Sequence, residues 1–377
     1  MDYKSDILIV GGGLAGLTSA LHLHKAGLKV ILIEKNTYPH HKVCGEYISN
    51  EVLPYLTWLN IDIEKLNPTH INQLQLTTQA GKSISTVLPL GGFGISRYTL
   101  DHHLYLQLIA RGIQVFNENV IDINYEDDYF LAKTTNGLTF MAKQVVGAYG
   151  KRSTLDIKFE RPFIKTKSSY LAVKAHYKGE FPDDLVALHN FKGGYCGVSK
   201  VEDNKINICY LANYETFKNY KSIDLYQREV LSKNQYLKDI LTNSEMLFET
   251  PITISQLYFG TKQAITNHIL MVGDTAGLIH PLCGNGMAMA INSAKIAAEL
   301  LIKYFNGEIV TRDELEKKYA ISWNSFFKSR LKMGSLLSSL MRKEKLADFS
   351  LNILAKTPYL LNQIIKRTHG KPLLNND

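Results

Sequence analysis

The sequence predicts an α/β protein: a helix-flanked, mostly parallel sheet joined to a second, mostly antiparallel β domain and a helical C-terminal region. Three observations predict it. Residues 6–35 read as strand, helix, strand. Residues 161–261 carry short runs of β-formers around turns. Beyond residue 305, apolar residues recur at helical spacing with basic residues opposite them.

The first unit is the most sharply written. "DILIV" is a β-rich run that ends at glycine, "LAGLTSALHLHKAG" has helical spacing and closes on Gly27, and "KVILIEK" is a second β-rich run. At the strand-to-helix turn, Gly11, Gly13 and Gly16 form G-x-G-x-x-G. The first glycine allows the tight turn, the second a close approach of pyrophosphate, and the third close helix–strand packing, while the helix N-terminus presents free N–H groups. Glu34 ends the second strand, where a carboxylate accepts hydrogen bonds from both hydroxyls of an adenosine ribose. Such a unit serves NAD or FAD equally well.

A second motif decides between them. In "HILMVGDTAGLIHPLCGNGMAMAI" a buried strand ends at Gly273, Asp274 follows, and a long helix starts near Gly286. An acid at the carboxyl end of such a strand points into the ligand crevice and suits a ribityl chain. Pro281 and the Gly284-Asn285-Gly286 turn let backbone approach a flat ring, and the next helix N-terminus stabilises negative charge on it. These residues together predict a flavin.

Composition bounds the rest. The 377 residues, 45% hydrophobic, suffice for two domains. Lys plus Arg exceed Asp plus Glu by 43 to 35, and the excess gathers near the C-terminus among Leu, Ile and Phe. That pattern excludes a nucleic-acid stripe and leaves packing helices as the first expectation and a peripheral membrane contact as the second. Cys44, Cys196, Cys209 and Cys283 lack zinc or disulfide spacing, so no metal site and a cytoplasmic setting are expected.

With both motifs in place, the chain resembles the superfamily of FAD-dependent aromatic hydroxylases and geranylgeranyl reductases, built on the glutathione-reductase-like Rossmann FAD fold. The resemblance rests on "GDTAGLIHPLCGNG", on "GISRYTLDHHLYLQLIARGIQV" and on "GAYGKRSTLD". It implies a discontinuous FAD domain (1–75, 96–160, 262–304), a substrate domain (76–95, 161–261) and a C-terminal helical region (305–377). It implies that Arg97 touches the FAD pyrophosphate or ribityl chain; from the residues alone, an ion pair with Asp101 is the alternative. The implied cofactor set further includes Leu14, Ala15, Lys35, Lys42, Cys44, Gly45, Val120, Gly150 and Met287.

Two departures carry information. Tyr149 stands where hydroxylases carry an acid associated with FAD and NAD(P)H, so the electron donor, expected to be NAD(P)H, is less sharply written than the flavin. "PHHKVCGEYIS" looks like the reductase branch and places Cys44 and Glu46 near the chemistry, with Tyr195 of "GGYCGVSK" as a further catalytic candidate. The halogenase "WxWxIP" pattern is absent. The expected activity is hydroxylation of a lipophilic aromatic with NAD(P)H and O2. The alternatives are reduction of a C=C bond in an isoprenoid or polyketide, and FAD binding without turnover.

Overall fold

The computed structural model describes residues 3–260, 262–341, 349, 350, 353, 354 and 357–374. β1 (Tyr3–Val10), α1 (Leu14–Lys25) and β2 (Val30–Glu34) form the expected βαβ unit, its strands parallel from Ile7 opposite Val30 to Val10 opposite Ile33. β2 is buried along its whole length, which is why it reads as an unbroken apolar run closed by Glu34. The chain then crosses to a second sheet through β3 (Tyr47–Ser49), α2 (Leu53–Trp58), β4 (Thr69–Thr77) and β5 (Ser83–Gly94). It returns in α3 (Arg97–Ala110), β6 (Gln114–Asn117), β7 (Val120–Glu126), β8 (Tyr129–Thr134), β9 (Thr139–Gly147) and α4 (Thr154–Lys158).

A second excursion builds β10 (Tyr170–Lys178), β11 (Leu185–Phe191), β12 (Gly194–Lys200) and β13 (Ile206–Asn213). Helices α5 (Tyr214–Phe217), α6 (Ile223–Glu229) and α7 (Gln235–Thr242) follow, then the short strands β14 (Glu245–Met246) and β15 (Ile252–Ser255). The last pass returns to the first sheet with β16 (Ile265–Thr266) and β17 (Ile269–Met271), and continues into α8 (Gly286–Phe305), α9 (Arg312–Met341) and a C-terminal helix (Pro358–Thr368).

The first sheet runs β16-β17-β9-β1-β2-β6, parallel from β17 to β6, with the β7–β8 hairpin attached to β9. The second runs β14-β10-β13-β12-β11-β4-β5-β3, with β15 also on β10, and is antiparallel except where β4 meets β11. The boundary expected at residue 75 falls inside β4, and β3 also lies in the second sheet. An alternating strand such as "THINQLQLT" carries no local mark of the sheet it will join.

Helices α5–α7, unread in the sequence, cover one face of the second sheet. Val173, Tyr210, Tyr226, Leu231 and Leu237 form the core between them. The other face turns toward the first sheet. In α9, Leu315, Tyr319, Trp323 and Phe327 recur every fourth residue and are all buried, and the Tyr319 hydroxyl donates to the Met271 carbonyl at 2.5 Å. This helix packs on its own core along that stripe. "LMRKEK" and most of "LADFSLN", read as part of the basic amphipathic tail, lie largely outside the described residues. Among the described residues no helix is long and apolar enough to cross a membrane.

Candidate functional site

The glycine turn is built by contacts that leave no room for side chains. A Cβ on Gly16 would collide with the Gly11 carbonyl, and one on Gly11, at φ 108°, with the Ala148 carbonyl. Gly13 differs: the nearest atoms to a Cβ there are Arg97 Nη2 at 3.5 Å and Lys42 Nζ at 3.9 Å. No side chain caps α1. The turn therefore faces two cations with helix N–H groups unspent, an arrangement that fits a pyrophosphate.

Those cations share one anchor. Arg97 Nε and Nη2 donate to the two Asp101 carboxylate oxygens at 2.7 Å each, and Lys42 Nζ donates to Asp101 Oδ2 at 2.9 Å. Burial pushes the Asp101 carboxyl upward, but Arg97 and Lys42 outweigh it and hold it below the usual range. Arg97 thus makes the ion pair with Asp101 that was the alternative read for it, and its guanidinium also stands beside the glycine turn. Glu34 is more committed than expected: Oε2 accepts the Gly12 N–H at 2.6 Å, and Oε1 accepts the Asn36 backbone and side-chain N–H groups at 2.9 and 2.8 Å. Remaining lone pairs can still receive ribose hydroxyls. The Glu118 N–H donates to the Glu34 carbonyl at 3.1 Å, which brings the chain leading to buried Val120 past this end of the site. Lys35 is exposed.

The two distant motifs meet at one point. Gly273, at φ 59°, presses so closely on α1 that a Cβ there would lie 3.0 Å from Ala15 Cβ. The buried Leu14 and Ala15 open α1, and Met287 is buried in the first turn of α8. Gly150 donates its N–H to Thr275 Oγ1 at 2.7 Å. Asp274 is half-buried, and its carbonyl accepts from the buried Lys262 at 2.8 Å. Burial pulls the Lys262 ammonium down to about 8, against Asp274 and Asp156, which favour its charge. Lys151 donates to the Val43 carbonyl at 2.9 Å. Asn285 Nδ2 donates to the Thr368 carbonyl at 2.9 Å, so the side chain ties the turn to the C-terminal helix while the backbone of the turn stays available.

The Lys42–Glu46 loop is held from above. Glu46 has φ 55° and is wholly buried; Oε1 accepts from Lys174 Nζ at 2.7 Å and the Arg97 N–H at 2.8 Å, and Oε2 pairs with His176 Nε2 at 2.7 Å. Burial raises its carboxyl, and Lys174 and His176 overcome that and leave it below the ordinary range. The expectation of catalysis by Glu46 is therefore corrected: with three donors on it, this carboxylate is a fixed anion that positions the loop. Asn207 Nδ2 holds the Cys44 carbonyl at 3.2 Å, and nothing packs close to a Cβ built on Gly45.

Strand register explains the roof over this loop. Lys174 and His176 project from the same face of β10 as Ala172. Pairing sets Ala172, Lys174 and His176 opposite Leu211, Cys209 and Asn207 of β13, and sets Tyr195 and Gly197 of β12 opposite Leu211 and Cys209. One end of the roof is charged and the other apolar. At the apolar end, Ala172, Tyr195, Leu211, Leu257 and Leu278 cluster, with Val43 and Leu282 against them. Tyr195 is buried there, which raises its phenol well above the usual value and makes it wall rather than acid or base. Cys209, pushed up to about 12 by burial, and the Lys174–His176 pair were not singled out in the sequence. Two basic residues in the apolar run "LAVKAHY" were the available signal.

A glycine cradle under two cations, an acid at the end of the second strand and a strand–turn–helix motif brought against it mark a flavin-type dinucleotide-binding protein. The chain belongs to the family described as FAD binding domain, which it matches over residues 4–320. Conditioned medium factor receptor 1 of Dictyostelium discoideum is 22% identical over 373 residues, covering 88% of this chain and 70% of its own. Digeranylgeranylglycerophospholipid reductase of Sulfolobus acidocaldarius is 25% identical over 334 residues, 81% of this chain and 70% of its own. The fold is shared with a flavin-dependent brominase (TM-score 0.80, 16% identity, 97% of this chain and 93% of that one). It is also shared with p-nitrophenol 4-monooxygenase of Pseudomonas putida (TM-score 0.78, 16% identity, 97% of each chain).

Proposed function

We propose that this protein is an FAD-dependent oxidoreductase that reduces a carbon–carbon double bond of a lipophilic, isoprenoid-like substrate. The observation that carries this reading is the apolar end of the roof, where Tyr195, Leu211 and Leu257 pack against Leu278 of the flavin motif and Leu282 adjoins them. Such a wall accepts hydrocarbon and excludes water. The protein's own part is to hold the cofactor and exclude solvent. Gly11, Gly13 and Gly16, with Arg97 and Lys42, would hold the pyrophosphate, Glu34 would take the ribose, and Asp274 would serve the ribityl chain. Glu46 holds the Cys44 loop in register with the roof. When bound, FAD supplies the two-electron transfer. Cys209, whose thiol keeps its proton at neutral pH, faces the same space.

The named activity of the archaeal relative supports reduction. Hydroxylation of a lipophilic aromatic with NAD(P)H and O2 is the second reading. It draws on likeness to the nitrophenol monooxygenase, a likeness of fold alone. The test is single-turnover chemistry: enzyme reduced with dithionite under argon is mixed with geranylgeraniol or a long-chain alkylphenol, and products are weighed by mass spectrometry. Reoxidation without air, with a product richer by two hydrogens, is expected. A product richer by one oxygen atom, formed only in air, would establish hydroxylation instead. No reoxidation by either probe under argon, together with no oxygenated product in air, would remove both readings.

A further inference from the structure

A cavity of about 1470 Å³ lies among α8, α9, the middle of β5 and residues 365–374. None of its described lining residues belongs to the glycine cradle or the Gly273–Gly286 motif. It exceeds the roughly 300–1,000 Å³ of ordinary small-molecule sites. α9 presents Ser322, Ser325, Phe326, Ser329, Arg330 and Met333 to the space, a mixed polar and apolar face.

The lining has two characters. Leu88, Ile296, Leu300, Ile365 and Leu373 make an apolar wall. Six cationic side chains, among them Lys366, Arg367 and Lys371, face two acids, Glu299 and Glu308, and Glu299 is already paired with Lys295. Arg330 is the decisive group. Its side chain is 11% exposed, its Nη1 is ion-paired at 3.8 Å with the buried Glu51, and that atom makes no hydrogen bond among the described residues. A buried guanidinium with an unused donor is costly unless an oxyanion completes it. A free inorganic anion would leave the apolar wall unused, and a neutral lipid would leave the cations unused.

We propose that this cavity binds a long-chain anionic amphiphile, its carboxylate or phosphate head on Arg330 and its alkyl chain along Ile296, Leu300 and Leu373, apart from the redox crevice. The geometry suits one chain taken up from solution or from a membrane surface, with the head selected by the planar fork of arginine. The site does not depend on which reaction the flavin carries out.

The experiment titrates the FAD-loaded protein by calorimetry with oleate, hexadecyl phosphate and hexadecanol, all below their aggregation limits. Saturable binding of one oleate or hexadecyl phosphate per chain is expected, with hexadecanol about tenfold weaker or worse, the scale of a charged hydrogen bond. Arg330→Gln should weaken both anions about tenfold while Arg330→Lys recovers part, and Leu300→Trp should weaken all three by blocking the chain. Unchanged circular dichroism and FAD content establish that the variants are folded. Absence of saturable binding, or indifference to Arg330→Gln, overturns the site. Binding only to phosphatidylglycerol vesicles points to a surface instead and also overturns it. Competition with the substrate together with a perturbed flavin spectrum would place the ligand in the redox crevice, and the separate site would fall. Protein isolated without FAD would count against the proposed function alone.

Discussion

Gly286 and Glu34 show how a single position can be read twice. A Cβ on Gly286 would meet only Ile279 Cγ2, at 3.6 Å, so the protein itself has room for a side chain there. Gly286→Val should therefore keep its melting temperature while losing FAD occupancy, because the described residues leave room for the side chain and the turn is proposed to lie against the cofactor. Full flavin content and an unchanged reduction potential would show that the turn does not touch the ring. Glu34 behaves otherwise, since its carboxylate also holds the Gly12 and Asn36 N–H groups. Glu34→Ala should weaken FAD binding and the apoprotein together, each by about 1–3 kcal/mol. Equilibrium titration and denaturant melts of the apoprotein measure the two losses separately, and an apoprotein as stable as wild type would mean that the internal hydrogen bonds contribute nothing.

Between elements, the decisive contact joins the Cys44 loop to β10. Lys174 and Glu46 are both fully buried, and His176 is nearly so. Removing one partner of such a pair leaves an uncompensated buried charge, which costs about 3–5 kcal/mol. Glu46→Ala should unfold at correspondingly lower denaturant, whereas the double change Glu46→Gln with Lys174→Met should recover much of the loss by removing both charges. A destabilisation by Glu46→Ala under about 1 kcal/mol would mean that the pair is not buried in solution. The same logic explains why a glutamate at positive φ is tolerated there, since its three donors hold the backbone in place.

At the scale of the whole molecule, buried titratable groups make the fold sensitive to acid. Burial, reinforced by Lys295 and Lys25, lowers His22 to about 3, and burial with Lys174 and His176 lowers His41 to about 4. Unfolded histidine titrates near about 6.5, so below that pH the unfolded chain takes up protons that the folded chain refuses. Their contribution is complete above about 6.5 and is lost as pH falls toward about 4 for His41 and about 3 for His22. Asp101 and Glu46, held below the ordinary carboxylate range, add a second loss that begins near the unfolded carboxyl value of about 4 and deepens as pH falls through their folded values. Melting temperature should thus fall from pH 7 downward in two limbs. His22→Gln should flatten the upper limb and Asp101→Asn the lower. A profile level between pH 7 and 4 would mean that these histidines are not buried in solution.

Sequence alone determined the βαβ unit, the three glycines with Glu34, and the strand–turn–helix of Gly273 to Gly286. Each is a local pattern: glycine sterics, apolar period and turn chemistry act over a few to about thirty residues. Arg97 was legible for the same reason, as a cation opening a helix one turn before Asp101. Tertiary structure alone decided the rest. Glu46 meets Lys174 and His176 across 128 and 130 residues, and Asn285 turns to Thr368 across 83. β4 joins the second sheet only because β5 and β11 flank it. Whether a carboxylate reacts or is locked, and whether a polar helix face meets water, core or cavity, depends on what the fold brings against it, and burial and charge pairing leave no local trace in the chain.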